Sequence, residues 1–250
     1  MPRTIVLMPT YDEREALPVT ADRLLAAVPD VTLLVIDDGS PDGTGDVADA
    51  MAAADSRVRV LHRSSKQGLG AAYLAGMRLA IDEGFDLVVE MDADGSHPAD
   101  ALPAMLAAAE RADLVIGSRW VEGGGTVDWP IQRQLISRAG TRYAQLALGI
   151  DVADMTAGYR VYRAELLRRI LARPVSSQGY CFQIDMTRRA DDLDARIAEV
   201  PITFREREVG VSKMSGGIVV EALRNVTAWG IGRRARQVVD ALRGLGDRIR

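Results

Sequence analysis

The triplet Asp92-Ala93-Asp94 follows the apolar run Leu87-Val88-Val89-Glu90-Met91, at the point where a buried parallel strand would end. Two carboxylates leaving a strand end, one small residue apart, offer hard oxygen donors to Mg²⁺ or Mn²⁺. Such cations are held by one or two carboxylates, and substrate phosphates complete the shell. An acidic triplet alone equally suits a solvated loop. The strand-end position favours the metal reading, as do the other loops expected at the same edge. Pro9-Thr10-Tyr11-Asp12-Glu13 brings an aromatic ring and carboxylates there. Asp37-Asp38-Gly39-Ser40-Pro41-Asp42-Gly43-Thr44 brings acidic groups on a tight turn. A strand-end carboxylate can accept hydrogen bonds from ribose hydroxyls or a base edge. Turn and capping chemistry accounts for Asp42, Gly43 and Thr44 but leaves Asp37-Asp38 unexplained. The chain has no Gly-x-x-x-x-Gly-Lys loop and no Gly-x-Gly-x-x-Gly, which disfavours P-loop hydrolases and dinucleotide oxidoreductases.

Elements able to bring these loops together are legible in the first half. Strand-like runs at 4–8, 31–36, 58–61, 87–91 and 114–116 alternate with helix-like runs at 17–28, 46–54, 71–83 and 101–111. That alternation predicts βαβ units and an α/β fold with a mostly parallel sheet flanked by helices. Ligands bind such sheets beyond the carboxyl ends of the strands. The second half is less regular. Residues 120–129, with Gly123-Gly124-Gly125, read as a loop; 131–148, 164–171 and 182–189 as helices; 197–205 as one strand. A polar stretch covers 206–217, and an amphipathic, basic helical tail follows. The expected division is a catalytic domain over 1–216 and a tail over 217–250.

With 250 residues, 48% hydrophobic content and a net charge of −4, the chain can form one large domain with a real core. The charge balance argues against a nucleic-acid partner. Of 31 basic residues only Lys66 and Lys213 are lysines, so both are candidates for specific roles. A single cysteine, Cys181, excludes an internal disulfide and fits a reducing compartment. Its neighbours make it a buried small hydrophobe rather than a nucleophile. No leader precedes the first strand and no apolar stretch is long enough to span a bilayer, so a cytoplasmic protein, free or peripheral, is expected.

The ordered motifs together resemble the family 2 glycosyltransferases of GT-A (Rossmann-like) fold, and within them the polyprenol-phosphate (dolichol-phosphate) mannose synthases. The resemblance extends nearly to Lys213. Besides the segments above it includes Lys66-Gln67-Gly68-Leu69-Gly70, Ser96-His97-Pro98, Gly117-Ser118-Arg119 and Arg133 with Ser137. It continues through Asp154-Met155-Thr156-Ala157-Gly158-Tyr159-Arg160, Gly179-Tyr180-Cys181-Phe182-Gln183 and Arg207 with Lys213. The resemblance implies that Pro9, Tyr11, Glu13, Ile36 and Asp38 hold the guanosine of GDP-mannose, with Ala93 beside the donor. Asp92, Asp94 and Ser96 would bind the metal on the diphosphate. Many relatives have Gln where this chain has Ser96, a shorter neutral ligand. Arg207 and Lys213 would close over the donor diphosphate. Arg119, Arg133 and Ser137 would grip the acceptor phosphate, a task suited to the bidentate guanidinium. The implied reaction is inverting mannosyl transfer to polyprenyl phosphate, with Asp94, Arg119, Arg133 and Ser137 as the catalytic set. Glucosyl transfer to the same lipid, another family 2 glycosyltransferase activity and a non-catalytic nucleotide-binding subunit of a membrane complex are the alternatives.

Ile131, Leu135, Ile136, Ala139, Tyr143 and Leu146 fall at helical spacing, as in a core-packed helix or one lying in a membrane interface. The resemblance favours the interface. Arg233, Arg234, Arg236, Arg243, Arg248 and Arg250 beside Val238, Val239, Leu242 and Leu245 suit an anionic lipid surface. Peripheral attachment to the inner face of the cell membrane is expected, with help from a membrane-anchored protein partner.

Overall fold

The computed structural model describes residues 2–177, 179–206 and 223–235. Its centre is a seven-stranded sheet in the order β3-β2-β1-β4-β7-β5-β8. The strands are β1 (Thr4–Thr10), β2 (Thr32–Asp37), β3 (Val58–His62), β4 (Leu87–Glu90), β5 (Leu114–Ser118), β7 (Arg160–Arg163) and β8 (Ile197–Pro201). All neighbours are parallel except β7, which runs antiparallel to both β4 and β5. The helices are α1 (Ala16–Ala27), α2 (Thr44–Ala54), α3 (Leu69–Asp82), α4 (Leu102–Ala108), α5 (Ile131–Leu148), α6 (Ala164–Leu171) and α7 (Gly179–Asp191).

Successive side chains of a strand face opposite sides of a sheet, and here both sides are covered. Ile5, Leu7, Leu34 and Ile36 enter one core with residues of α3, α5, α6 and α7. Val6, Met8, Leu33 and Val35 enter the other with residues of α1, α2 and α4. This two-sided burial is why the strands read as continuous apolar runs rather than alternating ones. Gly76 sets the seat of α3: a Cβ there would lie 2.6 Å from Ile36 Cδ1 and 3.0 Å from Leu7 Cδ2. The helix therefore lies close against β1 and β2. The chain runs outward from β1 through β2 to β3 and then returns to place β4 on the other side of β1. Ligands bind at such a reversal, beyond the carboxyl ends of the flanking strands. The loops after β1, β2 and β4 all open there.

Four features depart from the sequence expectation. The strand β7, not expected from the sequence, begins at the last residue of the Asp154–Arg160 motif, Arg160, which is fully buried. Its guanidinium donates to the carbonyls of Ala157 and Gln183 and to the Thr187 hydroxyl, at 2.7, 3.0 and 2.9 Å. The strand expected over 197–205 is two, β8 and β9 (Thr203–Arg205). The expected loop 120–129 contains a short strand, β6 (Gly125–Val127), which pairs with β9 in a separate two-stranded sheet. β1 also runs two residues further than expected, so Pro9 and Thr10 pair with Ile36 and Asp37 inside the sheet.

Helix 223–235 is packed on this framework. Val226 is buried in the core that includes residues of α5, α6 and α7. Tyr143 and Thr227 share a hydrogen bond through their hydroxyls. Arg233 pairs with Asp191 and Asp192, and Arg234 donates to the Leu146 carbonyl at 2.9 Å. These two arginines, expected at a lipid surface, are thus tied to the protein itself. Arg236, Arg243, Arg248 and Arg250, with Val238, Val239, Leu242 and Leu245, lie outside the described residues. Among the described residues no helix is long and apolar enough to cross a membrane.

Candidate active site

The acidic triplet leaves the end of β4 and is held from several directions. The Thr20 hydroxyl of α1 donates to the Ala93 carbonyl at 2.8 Å. The Asp92 amide donates to His97 Nδ1 at 3.0 Å, and the His97 ring stacks on Tyr159 at 4.9 Å. His97 is therefore a loop organiser, enclosed among aromatic rings. The Ser96 amide donates to Asp94 Oδ1 at 3.1 Å, and Gly95 makes the turn between them with φ 77°. From α3, the Tyr73 hydroxyl donates to Asp92 Oδ1 at 2.9 Å. Burial and the Asp92 and Glu90 carboxylates keep that phenol protonated, with its pKa well above the ordinary value. Asp94 and Ser96 are buried, Asp92 half-buried. Ala93 turns its methyl into the core, so it can meet a ligand only through its backbone.

Among the described residues no three His, Cys, Asp or Glu side chains form a metal cage. Two strand-end carboxylates, one hydrogen-bonded by a phenol and the other by a backbone amide, fit a cation that substrate phosphates help to hold. Two residues earlier, Glu90 is fully buried, and burial pushes its carboxyl up to about 8 although Arg160 and a bond from Gln183 pull the other way.

The groups expected around a nucleoside cluster at the ends of β1 and β2. Asp37 accepts from the Ser40 hydroxyl at 2.5 Å and is near the Thr10 hydroxyl at 3.4 Å, which gives it the turn-forming role the sequence left unassigned. Asp38 is buried, pairs with Arg63 and accepts the Gln67 amide at 3.3 Å. This contact ties the 63–68 loop to the end of β2. Lys66, one of the two lysines, lies over the Tyr11 ring at 3.6 Å from its centroid. The Glu13 amide donates to the Thr44 hydroxyl at 3.0 Å. Pro9 and Ile36 are cross-strand partners, with Ile36 buried.

Across the site, at the end of β5, Arg119 makes a two-pronged ion pair with Asp154, Nε and Nη2 each 2.7 Å from a carboxylate oxygen. Asp154 is fully enclosed and Arg119 nearly so. The same Nη2 donates to Thr156 at 2.9 Å and approaches Ser137 at 3.4 Å. Arg133, from the first turn of α5, pairs with Glu206 just after β9. The Trp129 ring lies under both guanidinium groups, 5.0 Å from that of Arg119 and 5.5 Å from that of Arg133. The three expected residues Arg119, Arg133 and Ser137 are thus brought to one place. His97, from the loop after β4, and Arg119 line the same small cleft, together with Gly158. Arg207 and Lys213 lie outside the described residues.

Asp154, Tyr73, Trp129 and Glu206 complete the site without having been assigned from the sequence. Asp154 stood in a quoted motif, and its partner could not be read from spacing. Tyr73 sits mid-helix, where a ring signals only core.

The outer face of α5 carries Ile131, Leu135, Ile136 and Leu146, 74%, 61%, 51% and 60% exposed. The side turned inward is Thr141, Ala144 and Leu148. Ile131, Leu135, Ile136 and Leu146 of the expected apolar stripe therefore face away from the core, whereas Tyr143 packs against it, and Ile231 at 66% exposure adds to the apolar surface of this layer. Cys181 is buried, as its neighbours suggested.

A sequence profile described as glycosyl transferase family 2 matches residues 5–171. An undecaprenyl-phosphate mannosyltransferase of Micrococcus luteus is 56% identical over 93% of this chain and 96% of its own. A polyprenol monophosphomannose synthase of Mycolicibacterium smegmatis is 53% identical over 95% of this chain and 91% of its own. Among solved structures, glucosyl-3-phosphoglycerate synthase of Mycobacterium tuberculosis, in complex with Mn²⁺, UDP-glucose and phosphoglyceric acid, superposes with a TM-score of 0.67. The identity is 22%, over 91% of this chain and 80% of that one.

Proposed function

The chain belongs to glycosyl transferase family 2, and from that premise we propose that it transfers mannose from GDP-mannose to a polyprenyl monophosphate. Its fold is GT-A, a mostly parallel sheet flanked by helices. The observation that carries the reaction is the pair of mannosyltransferases more than half identical over more than nine-tenths of the chain.

The site chemistry agrees with that reading. An acceptor phosphate is anionic at neutral pH, so its oxygen can attack C1 of the sugar without a general base. The new bond joins that oxygen to C1, and the C1–oxygen bond to the nucleoside diphosphate breaks with its electron pair leaving on GDP. Attack opposite the leaving group gives inversion. The difficulty is to hold two phosphate groups together against their repulsion. Pro9, Tyr11, Glu13, Ile36 and Asp38 would seat the guanosine, and Asp92, Asp94 and Ser96 would hold Mg²⁺ or Mn²⁺. The cation supplies neutralisation of the leaving diphosphate. Arg207 and Lys213 would add cationic groups over the same diphosphate.

On the acceptor side the two arginines would act differently. Arg119 is locked to an enclosed carboxylate and offers a fixed donor beside Ser137. Arg133 is a quarter exposed, as is Glu206, so a phosphate can compete for it. Replacing Arg133 with Ala should therefore raise the KM for polyprenyl phosphate about 10–100-fold, the worth of one or two charge-assisted bonds. The KM for GDP-mannose should stay near wild type. Unchanged acceptor kinetics would sink the assignment of this pocket.

The outward stripe on α5, flanked by the exposed Arg138 and Arg142, would rest on an anionic bilayer where the lipid acceptor resides. A Leu135→Glu/Ile136→Glu variant should lose vesicle partitioning by about tenfold or more, because two large apolar side chains no longer enter the interface. Flotation with anionic liposomes measures this, and equal flotation of variant and wild type would remove α5 from the contact.

The reaction itself is tested with radiolabelled GDP-mannose, polyprenyl phosphate and Mg²⁺ or Mn²⁺, scoring label that enters organic solvent. Metal-dependent transfer is the expected result. Transfer from UDP-glucose instead would keep the mechanism and overturn the donor. Silence with both donors, despite GDP binding, would overturn the enzymatic reading.

A further inference from the structure

Tyr73 holds a position that packing alone does not explain. Its ring is wholly buried in the core beneath α3, parallel to the Phe182 ring of α7, at 6.3 Å and 8°. Its hydroxyl nevertheless reaches the sheet edge and donates to Asp92 Oδ1 at 2.9 Å. A buried phenol needs an acceptor, and many core tyrosines find a backbone carbonyl. This one, on α3, finds a carboxylate of the acidic triplet at the end of β4. The close seat of α3 at Gly76, three residues along the helix, fixes the height at which that hydroxyl arrives. The Phe182 ring restricts the tyrosine in the plane of the stack. Asp92 is meanwhile fixed through its backbone by His97 at 3.0 Å.

From this arrangement we propose that Tyr73 is a positioning residue for the metal site: its hydroxyl sets the orientation of the Asp92 carboxylate. The inference rests on the reading of Asp92 and Asp94 as cation ligands. A carboxylate on a short side chain can rotate about χ2, and a hydrogen bond to one oxygen fixes which lone pairs face outward. Metal-ligating groups depend on such outer contacts, whose loss typically lowers metal affinity about 10–100-fold. The phenyl ring of a Tyr73→Phe variant retains the stack on Phe182, so the change removes the bond and little else. Asp92 Oδ1 lies at a half-exposed side chain and can take a water instead, which limits the cost in stability.

The test is Mn²⁺ titration of the full chain in the presence of GDP, followed by the electron paramagnetic resonance of free Mn²⁺. GDP binding in EDTA and the thermal midpoint of the metal-free protein are measured beside it. Tyr73→Phe should weaken Mn²⁺ binding about 10–100-fold, with GDP binding in EDTA and the midpoint close to wild type. Phe182→Leu, which loosens the ring and leaves the hydroxyl, should weaken it less. Unchanged Mn²⁺ affinity in Tyr73→Phe overturns the proposal, as does an equal loss of Mn²⁺ and metal-free GDP binding, which would mean general damage. Failure of the wild type itself to bind Mn²⁺ with GDP would instead overturn the metal reading of the triplet, and this role of Tyr73 with it.

Discussion

Asp94→Ala should reduce mannosyl transfer to polyprenyl phosphate by about 1,000-fold or more at every Mg²⁺ or Mn²⁺ concentration, about 4 kcal/mol of lost transition-state stabilisation. The size follows from what the residue would do. The leaving diphosphate gains charge as the C1–oxygen bond breaks, and the acceptor brings a second anion to the same centre. A cation seated by two carboxylates answers both, and one carboxylate on the half-exposed Asp92 is a poor seat. Asp94 is the enclosed member, 7% exposed, and its Oδ1 is already fixed by the Ser96 amide. Its loss cannot be made good by a neighbour swinging in. The fold should survive, because Thr20 and His97 also hold the turn on which Asp94 sits. The radiolabel assay with a thermal-midpoint control checks this. Activity within tenfold of wild type would show that the triplet does not carry the cation.

How far the sequence leads depends on whether a residue's partner is local. The parallel half is legible because each strand is buried on both faces, so Ile5-Val6-Leu7-Met8 and Leu33-Leu34-Val35-Ile36 appear as unbroken apolar runs. α5 and α6 were placed with their observed ends, 131–148 and 164–171, because Pro130 and the Gly149-Ile150 break bound the first. The strand β7 was missed because it begins and ends on arginine, and charge reads as surface. Arg160 is inside because carbonyls of the preceding loop and of α7, with the Thr187 hydroxyl, satisfy its guanidinium, an arrangement no local pattern announces. β6 was missed because three consecutive glycines signal a loop, and its pairing with β9 is decided 78 residues downstream, Gly125 opposite Thr203. At the site, residue type and strand-end position brought the triplet into view, and Arg119, Arg133 and Ser137 came only from the family resemblance. The residues that hold those groups in place stayed hidden, since Asp154 and Tyr73 act through partners 35 and 19 positions away.

Asp154 is where this dependence should cost most. Removing its carboxylate leaves the Arg119 guanidinium without a counter-charge in a place water barely reaches, and breaking a buried pair from one side costs about 3–5 kcal/mol. Asp154→Ala should accordingly lower the urea midpoint by an amount equal to that loss divided by the denaturant slope. The damage should not stop at stability. Both oxygens of Asp154 receive bonds from Arg119, one of them also the Arg119 backbone amide at 3.1 Å, so the carboxylate fixes side chain and main chain together. Its own amide and that of Ala153 donate to Glu199 on β8, at 3.0 and 2.7 Å. A freed Arg119 could swing toward solvent, and the donor that would sit beside Ser137 is then no longer held for an incoming phosphate. Arg119→Ala in the Asp154→Ala background should restore part of the lost stability, since no unpaired charge remains, while acceptor turnover stays low. That divergence separates the two roles of the pair. If the double variant is no more stable than Asp154→Ala alone, the cost lies in the loop around Asp154 and not in the unpaired guanidinium.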